Sequence, residues 1–183
     1  MRASRGQTAD HEKPADGQIY TPAQRARRDA TVWTTVQGVL APLQFVVFAI
    51  SLALVVRYLM TGEGYWAASI SILIKTGVLY TIMVTGAIWE KVVFGQYLLA
   101  PAFFWEDVVS FGVIALHTLY VYALLFAQWG AAAEMWIALA AYAAYVVNAV
   151  QFVWKLRQAR LSAERADREA AAAQATPATE LPA

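Results

Sequence analysis

The stretch TVWTTVQGVLAPLQFVVFAISLALVVRYLM, residues 31–60, contains Arg57 as its only charged residue. A helix needs roughly 20 consecutive, mostly apolar residues to cross the hydrocarbon core of a bilayer. The stretch meets that length and composition, so it predicts a membrane-spanning helix that ends at the TGEG turn, residues 61–64. The fold of the chain then depends on how many such stretches follow.

Three further stretches pass the same test, at about residues 66–89, 107–126 and 135–154. The composition agrees, because 60% of the 183 residues are hydrophobic and only 15% are charged, whereas a soluble domain carries about 25% charged residues. The sequence therefore predicts an all-α integral membrane protein with four transmembrane helices.

Basic residues mark one side of the predicted bundle. They precede the first predicted helix and follow the second and the fourth: Arg25, Arg27, Arg28, Lys91, Lys155, Arg157 and Arg160. The loops on the other side hold only Arg57. Because cytoplasmic loops carry the excess of Lys and Arg, both termini and the connection between the second and third helices are expected to face the cytoplasm.

The polar ends suggest the domain organisation. Residues 1–20 lack an apolar segment and are expected to form a disordered tail. Residues 21–161 would form the four-helix membrane domain, and residues 162–183 a polar helical extension followed by a disordered tail. Within the extension, Glu164 and Arg168 have the spacing of an i, i+4 ion pair.

Composition also excludes several functions. The chain has no cysteine, which removes disulfides, thiolate metal sites and thiol nucleophiles. A net charge of +1 without a basic face offers no surface for tracking phosphates, so no nucleic-acid partner is expected.

The connection IWEKVVFGQYLLAPAFFWEDV, residues 88–108, is unusual for its position. It has no charge between Lys91 and Glu106, so it is too apolar for a surface loop and too short to span a bilayer. We expect a re-entrant or interfacial hairpin that forms the floor or lid of a cavity. Its ends carry the acids Glu90, Glu106 and Asp107, which could also be ordinary interfacial residues.

Polar residues inside membrane helices are costly and often functional. Four amides lie in the cytoplasmic half of the predicted bundle: Gln37, Gln44, Asn148 and Gln151. Together with the acids they predict a polar cavity open to the cytoplasmic leaflet. The alternative is that they only join helices, at about 0.6 kcal/mol each.

Two ionisable side chains are predicted near the middle of the membrane. Lys75 should be neutral or paired with a carboxylate. His117 shares a helix face with Glu106 and could bind a metal, transfer a proton or bond a neighbouring helix. It is the only histidine in a predicted span, which argues against a bis-histidine haem.

Three long stretches carry a family resemblance. YTPAQRARRDATVWTTVQGVLAPLQFVVFAISLALVVRYL (residues 20–59), TGAIWEKVVFGQYLLAPAFFWEDVVS (85–110) and AAYAAYVVNAVQFVWKLRQARL (140–161) closely resemble the vinyl-bacteriochlorophyllide hydratases of bacteriochlorophyll biosynthesis. The resemblance implies addition of water to the 3-vinyl group of a chlorophyllide-type macrocycle, which gives a 3-(1-hydroxyethyl) product. It implies no cofactor beyond the magnesium of the substrate. It also implies a bacterial inner or intracytoplasmic photosynthetic membrane, with other pigment-biosynthesis enzymes as possible partners.

The acids suit that chemistry. Hydration of a vinyl group starts with protonation of its terminal carbon, and a base then takes a proton from the adding water, so the reaction needs a protonated acid and an acceptor. Glu106, Glu90 and Asp107 are the expected catalytic residues, with Glu106 the first choice as proton donor. His117 is a candidate axial ligand to the substrate magnesium, and Lys91 or Arg28 could receive the substrate carboxylate. The other expected substrate contacts are Gln37, Gln44, Asn148, Gln151, Trp89 and Trp105.

Two other functions remain open at this point. A non-catalytic tetrapyrrole-binding or assembly protein would show the same aromatics and interior amides. A small transporter fits poorly, because no charged pathway crosses the outer half of the predicted bundle.

Overall fold

The computed structural model describes residues 18–127 and 129–175, and within these ranges every regular element is helical. The helices are α1 (Pro22–Ala30), α2 (Val32–Thr61), α3 (Tyr65–Phe94), α4 (Phe104–Tyr122) and α5 (Ala131–Ala175), and the π-helical segment Ala123–Ala127 continues α4. Four of them, α2, α3, α4 with its continuation, and α5, are long and apolar enough to cross a membrane. The prediction of an all-α chain with four spanning helices is confirmed.

The unusual connection is shorter than the sequence suggested. α3 continues to Phe94 and α4 begins at Phe104, so the WEK and WED motifs lie inside helices and only residues 95–103 are non-helical. The prediction had ended the second helix at residue 89, but Val93 continues its buried face. The helix stops where Gly95 takes φ +87°, a left-handed conformation that glycine adopts without strain.

A short helix precedes the bundle and was not predicted. Thr21 caps α1 by accepting a hydrogen bond from the Gln24 N–H (3.2 Å), while its own N–H donates to Gln24 Oε1 (2.9 Å), the reciprocal pattern of a capping box. Tyr20 is buried and stacks on Phe94, so order begins before residue 21. The predicted tail over residues 1–17 lies outside the described residues.

The last helix runs well beyond the predicted membrane span, to Ala175. In this extension Glu164 accepts a hydrogen bond from Arg160 (3.0 Å), instead of the expected pairing with Arg168. The predicted C-terminal tail, residues 176–183, lies outside the described residues.

The spanning helices pack as two antiparallel pairs, α2 with α3 and α4 with α5, which we call the first and second hairpins. Contacts within each hairpin are extensive, and those between the hairpins are fewer. Buried polar side chains lie both within the hairpins and between them, and the Ser51–Tyr142 hydrogen bond is one that joins the two hairpins.

Candidate active site

The three acids flanking the connection are buried. Glu90, Glu106 and Asp107 are 5%, 7% and 3% exposed. They come together because α3 ends and α4 begins on the same side of the bundle. Burying a carboxyl group without partners is strongly unfavourable, and each of the three has a defined partner.

Two of the acids bind the backbone of the connection. Asp107 Oδ2 accepts a hydrogen bond from the Leu99 N–H (2.7 Å), and Glu90 Oε2 accepts one from the Ala100 N–H (3.2 Å). Leu99 has φ +59°, a left-handed conformation that costs a residue with a side chain about 1–2 kcal/mol. The two hydrogen bonds hold the connection in this strained conformation, in which it covers both carboxyl groups.

Glu90 and Asp107 are close neighbours, because their carboxyl groups accept hydrogen bonds from the adjacent Ala100 and Leu99 N–H groups. Two ionised carboxylates so close together would repel, so we infer that one of the two holds a proton. Asp107 lies in the first turn of α4, and Glu90 lies near the C-terminal end of α3, just before its last turn. Helix dipoles disfavour an anion at a C-terminus and favour one at an N-terminus. The proton therefore belongs on Glu90 and the negative charge on Asp107.

Glu106 has a different partner. Lys155 of α5 donates to its Oε2 across 3.1 Å. The Lys155 ammonium also lies 5.4 Å from the centre of the Phe103 ring. From the sequence alone, Lys155 indicates only the topology of the helices. Paired in this way, Glu106 is held as a carboxylate, which suits an acceptor of protons better than the donor that the sequence suggested.

Aromatic rings surround this acid cluster. They belong to α3, the connection, α5 and the segment before α1: Tyr20, Trp89, Phe94, Phe103 and Phe152. Burial raises the pKa of the Tyr20 hydroxyl, against the lowering influence of Arg28, so Tyr20 stays neutral. The wall against the acids is thus apolar and uncharged.

Several predicted substrate contacts instead join helices. Gln37 donates to Thr85 Oγ1 (2.8 Å), Trp89 Nε1 donates to Thr34 Oγ1 (2.9 Å), and Asn148 donates to Ser110 Oγ (2.6 Å). These bonds match the alternative interpretation of the interior amides as interhelical links.

The other predicted contacts divide into exposed and buried groups. Trp105 is 69% exposed. Lys91 is exposed and donates to the Gly95 carbonyl (2.6 Å) at the end of α3. Gln44 is buried with neither amide atom hydrogen-bonded, and the buried Gln151 Oε1 likewise has no partner.

A second set of polar side chains lies deeper in the bundle. We call it the midplane cluster; it comprises Ser51, Ser71, Lys75, His117 and Tyr142. Ser51 bonds both Ser71 and the Tyr142 hydroxyl. Lys75 is fully buried, and its ammonium lies 4.0 Å from the Tyr145 ring centre with no hydrogen-bond partner. Of the two predicted alternatives, a neutral Lys75 or one paired with a carboxylate, the described residues provide no carboxylate partner.

His117 is fully buried beside Lys75. Its Nδ1 lies 2.8 Å from the Val113 carbonyl oxygen, which can only accept, so Nδ1 carries the proton. Nε2 then has a free lone pair, and it is buried without a partner. An imidazole fixed in this tautomer can accept a hydrogen bond or ligate a metal.

A cleft of about 240 Å³ opens between α2 and α5. Its lining is apolar: Phe48, Leu52, Leu139, Tyr142, Ala143 and Val146. Tyr142 separates it from Lys75 and His117. Among the described residues, no group of three or more His, Cys, Asp or Glu side chains could hold a metal ion.

The comparisons with known proteins that give a match all indicate the same family. Residues 20–158 match the model of a family described as 2-vinyl bacteriochlorophyllide hydratase. The chain is 69% identical over 156 residues to the 2-vinyl bacteriochlorophyllide hydratase of Rhodobacter capsulatus, which covers 85% of this chain and 91% of that protein. It is 74% identical over 148 residues to the protein of the same name from Cereibacter sphaeroides, which covers 81% and 92% respectively. No solved structure matches significantly.

Proposed function

Because the chain belongs to the 2-vinyl bacteriochlorophyllide hydratase family, we propose that it is a hydro-lyase of bacteriochlorophyll biosynthesis. It adds water across the vinyl group of a bacteriochlorophyllide-type macrocycle and forms the 1-hydroxyethyl substituent. The reaction is neither an oxidation nor a reduction, so it requires no redox cofactor, and magnesium enters only as part of the substrate.

The mechanism rests on one observation, the two buried carboxyl groups of Glu90 and Asp107 that bind adjacent N–H groups of the connection, from which we infer that the pair holds one proton. Glu90 transfers this proton to the terminal vinyl carbon, and the electron pair of the double bond forms the new C–H bond. The positive charge develops on the carbon attached to the ring, where the conjugated macrocycle spreads it. The Asp107 carboxylate stabilises that charge electrostatically.

Water then completes the reaction. A water molecule oriented by the Glu106 carboxylate, which Lys155 holds in place, forms the C–O bond at the cationic carbon. Its extra proton returns to the Glu90–Asp107 pair, so the acids end in their starting state. An apolar aromatic wall keeps other water away from the cation and favours a protonated carboxyl group.

Substrate access requires movement of the connection, residues 95–103. The Leu99 and Ala100 N–H groups occupy oxygens of the two carboxyl groups that the reaction needs. Opening the connection as a lid would free those oxygens and release the strain at Leu99. A flat, apolar macrocycle would enter from the adjoining leaflet.

We place this site at the cytoplasmic face of the bacterial inner or intracytoplasmic membrane, with both termini in the cytoplasm. The clustering of basic residues on that side supports the orientation. The bilayer delivers the substrate, other pigment-biosynthesis enzymes would supply it and take up the product, and no nucleic acid takes part.

Turnover tests the function directly. Membranes containing the protein are incubated with a 3-vinyl substrate in D₂O and followed by absorption and mass spectrometry. Loss of the vinyl group from conjugation shifts the red band to shorter wavelength, and the product carries one carbon-bound deuterium in the new methyl group. A carrier or assembly protein would bind the pigment and return it unchanged, which would refute the proposal.

A further inference from the structure

The interface between the two hairpins has three layers. The acid cluster lies at one end and the midplane cluster in the middle. Asp107 and His117, one from each, are ten residues apart on α4, about 15 Å along the helix. Between them lies an apolar layer of Leu79, Val113 and Tyr145, with Phe48 packed against it. The layering suits a ligand with a flat apolar body and polar groups at two opposite edges.

Lys75 is the least satisfied member of the midplane cluster. Its Nζ is buried, has no hydrogen-bond partner among the described residues and lies over two aromatic rings, at 4.0 Å for Tyr145 and 5.7 Å for Tyr142. A cation–π contact is worth about 2 kcal/mol when desolvated, and burying an amine without a hydrogen-bond partner costs at least as much. The site is therefore incomplete without an acceptor.

Lys91 and Arg28, the cations expected to meet the substrate carboxylate, are already engaged, as is Lys155 beside the acids. Lys91 donates to the Gly95 carbonyl, Arg28 pairs with Asp29, and Lys155 pairs with Glu106. Lys75 differs from all three, because neither a carboxylate nor a carbonyl oxygen reaches its ammonium.

The remaining unpartnered groups point to the same place. His117 Nε2 has no hydrogen-bond partner, and both His117 and Lys75 lie against the Tyr142 ring. The apolar cleft between α2 and α5 also reaches the midplane cluster at Tyr142. The two hairpins contact each other less extensively than the helices within each hairpin do. A planar ligand could therefore separate them more easily than it could enter either hairpin.

We propose that the substrate binds edge-on between the two hairpins, with its vinyl group at the acid cluster, and that Lys75 binds an oxygen acceptor on the opposite edge of the macrocycle. Two groups on that half of a bacteriochlorophyllide have this chemistry, the propionate carboxylate and the ring ketone. The inference rests on the proposed function, since that function fixes the vinyl group at the acids. It makes Lys75 the residue that selects substrates by their oxygen-bearing edge.

The test compares substrates within each variant. The parent and Lys75→Met are assayed for kcat/KM with the free acid, with its methyl ester and with an analogue lacking the ring ketone. For the parent, we expect kcat/KM to be at least tenfold lower with one of the two altered substrates than with the free acid. For Lys75→Met, we expect kcat/KM to be equal for that substrate and the free acid. The affected substrate identifies the acceptor. Ratios within one variant do not depend on how much of the protein is folded.

Two further variants separate recognition from packing. Lys75→Arg keeps a cation and should keep part of the discrimination. Ile72→Met, a buried substitution one turn away on α3, should change the rates for all three substrates by one common factor. An equal loss on all substrates in Lys75→Met, or a parent that does not discriminate, would overturn the proposal and leave Lys75 as a partner of internal water only.

Pigment titration without turnover keeps this inference separate from the hydratase proposal. The dissociation constants of the three pigments should show the same discrimination in the parent and the same loss of it in Lys75→Met. A parent that discriminates in binding but forms no hydrated product would refute hydration while supporting the Lys75 site.

Discussion

Substitutions at Asp107 separate a catalytic carboxyl group from a structural one. Its Oδ2 accepts a hydrogen bond from the Leu99 N–H at 2.7 Å, and we infer that its carboxylate lies beside a protonated Glu90. Asp107→Asn keeps an acceptor for Leu99 but removes the negative charge. A hydrogen bond to a charged group contributes about 1.5–3 kcal/mol and a neutral one about 0.5–1.5 kcal/mol. We therefore expect Asp107→Asn to destabilise the connection by roughly 1 kcal/mol.

The expected effect on the rate is much larger. A positioned acid or base raises the reaction rate by about 100- to 10,000-fold. A loss of 1 kcal/mol in the stability of the closed connection changes the equilibrium between its open and closed forms by only about fivefold. The assay is single-turnover hydration of the vinyl substrate, beside the thermal stability of the detergent-purified protein. Asp107→Asn should lose at least 100-fold in rate while retaining nearly parental stability and pigment binding.

Asp107→Ala provides the comparison. It removes both the charge and the acceptor, leaves the Leu99 N–H without a partner and should add a further loss of about 1–3 kcal/mol in stability. If Asp107 only anchors the connection, the asparagine variant will be active and the alanine variant will not. Near-parental hydration by Asp107→Asn would refute the assignment of Asp107 to the proton-transfer pair.

Three further expectations follow from the same contacts. Tags at both termini should be reached only from the cytoplasm, and a terminus labelled from the periplasm would contradict the proposed orientation. Lys155→Met leaves the buried Glu106 carboxylate unpaired and should lower the yield of folded protein. Adding Glu106→Gln to this variant should restore folding but not hydration. A double variant as unstable as Lys155→Met would contradict the pairing. Gln37→Leu removes one interhelical bond to Thr85 and should cost about 0.6 kcal/mol in thermal stability with unchanged kcat, so a large loss of kcat would reinstate Gln37 as a substrate contact.

The sequence predicted the bundle because crossing a bilayer constrains composition so strongly. An apolar run of the required length leaves few alternatives to a spanning helix, and all four were found. The end of α3 was misplaced because Lys91 and the two tryptophans resemble an interfacial boundary. The actual boundary depends on Gly95, whose φ of +87° terminates the helix. α1 was missed because it is short and polar, although Thr21, Pro22 and Gln24 carry the sequence signals of a helix start.

The interior polar residues were found, but their partners were not. Gln37 and Gln44 share a predicted helix face, yet Gln37 is bonded to Thr85 and Gln44 has no hydrogen-bond partner. Depth can be counted along a sequence at about 1.5 Å per residue. The rotation of each helix against its neighbours cannot be counted in that way, because it depends on packing between residues distant in the chain.

Glu106 and Asp107 show how strongly helix rotation determines the partners and the chemical role of a side chain. They are adjacent in sequence, both acidic, both buried and both in the first turn of α4. One step along a helix turns the side chain by about 100°, so Glu106 faces Lys155 of α5 and Asp107 faces Glu90 of α3 and the connection. The first acid is paired with an ammonium group and the second with a carboxyl group that we infer to be protonated. A water-orienting carboxylate and a member of the proton-transfer pair can therefore arise from neighbouring residues, since the groups they face determine their chemical roles.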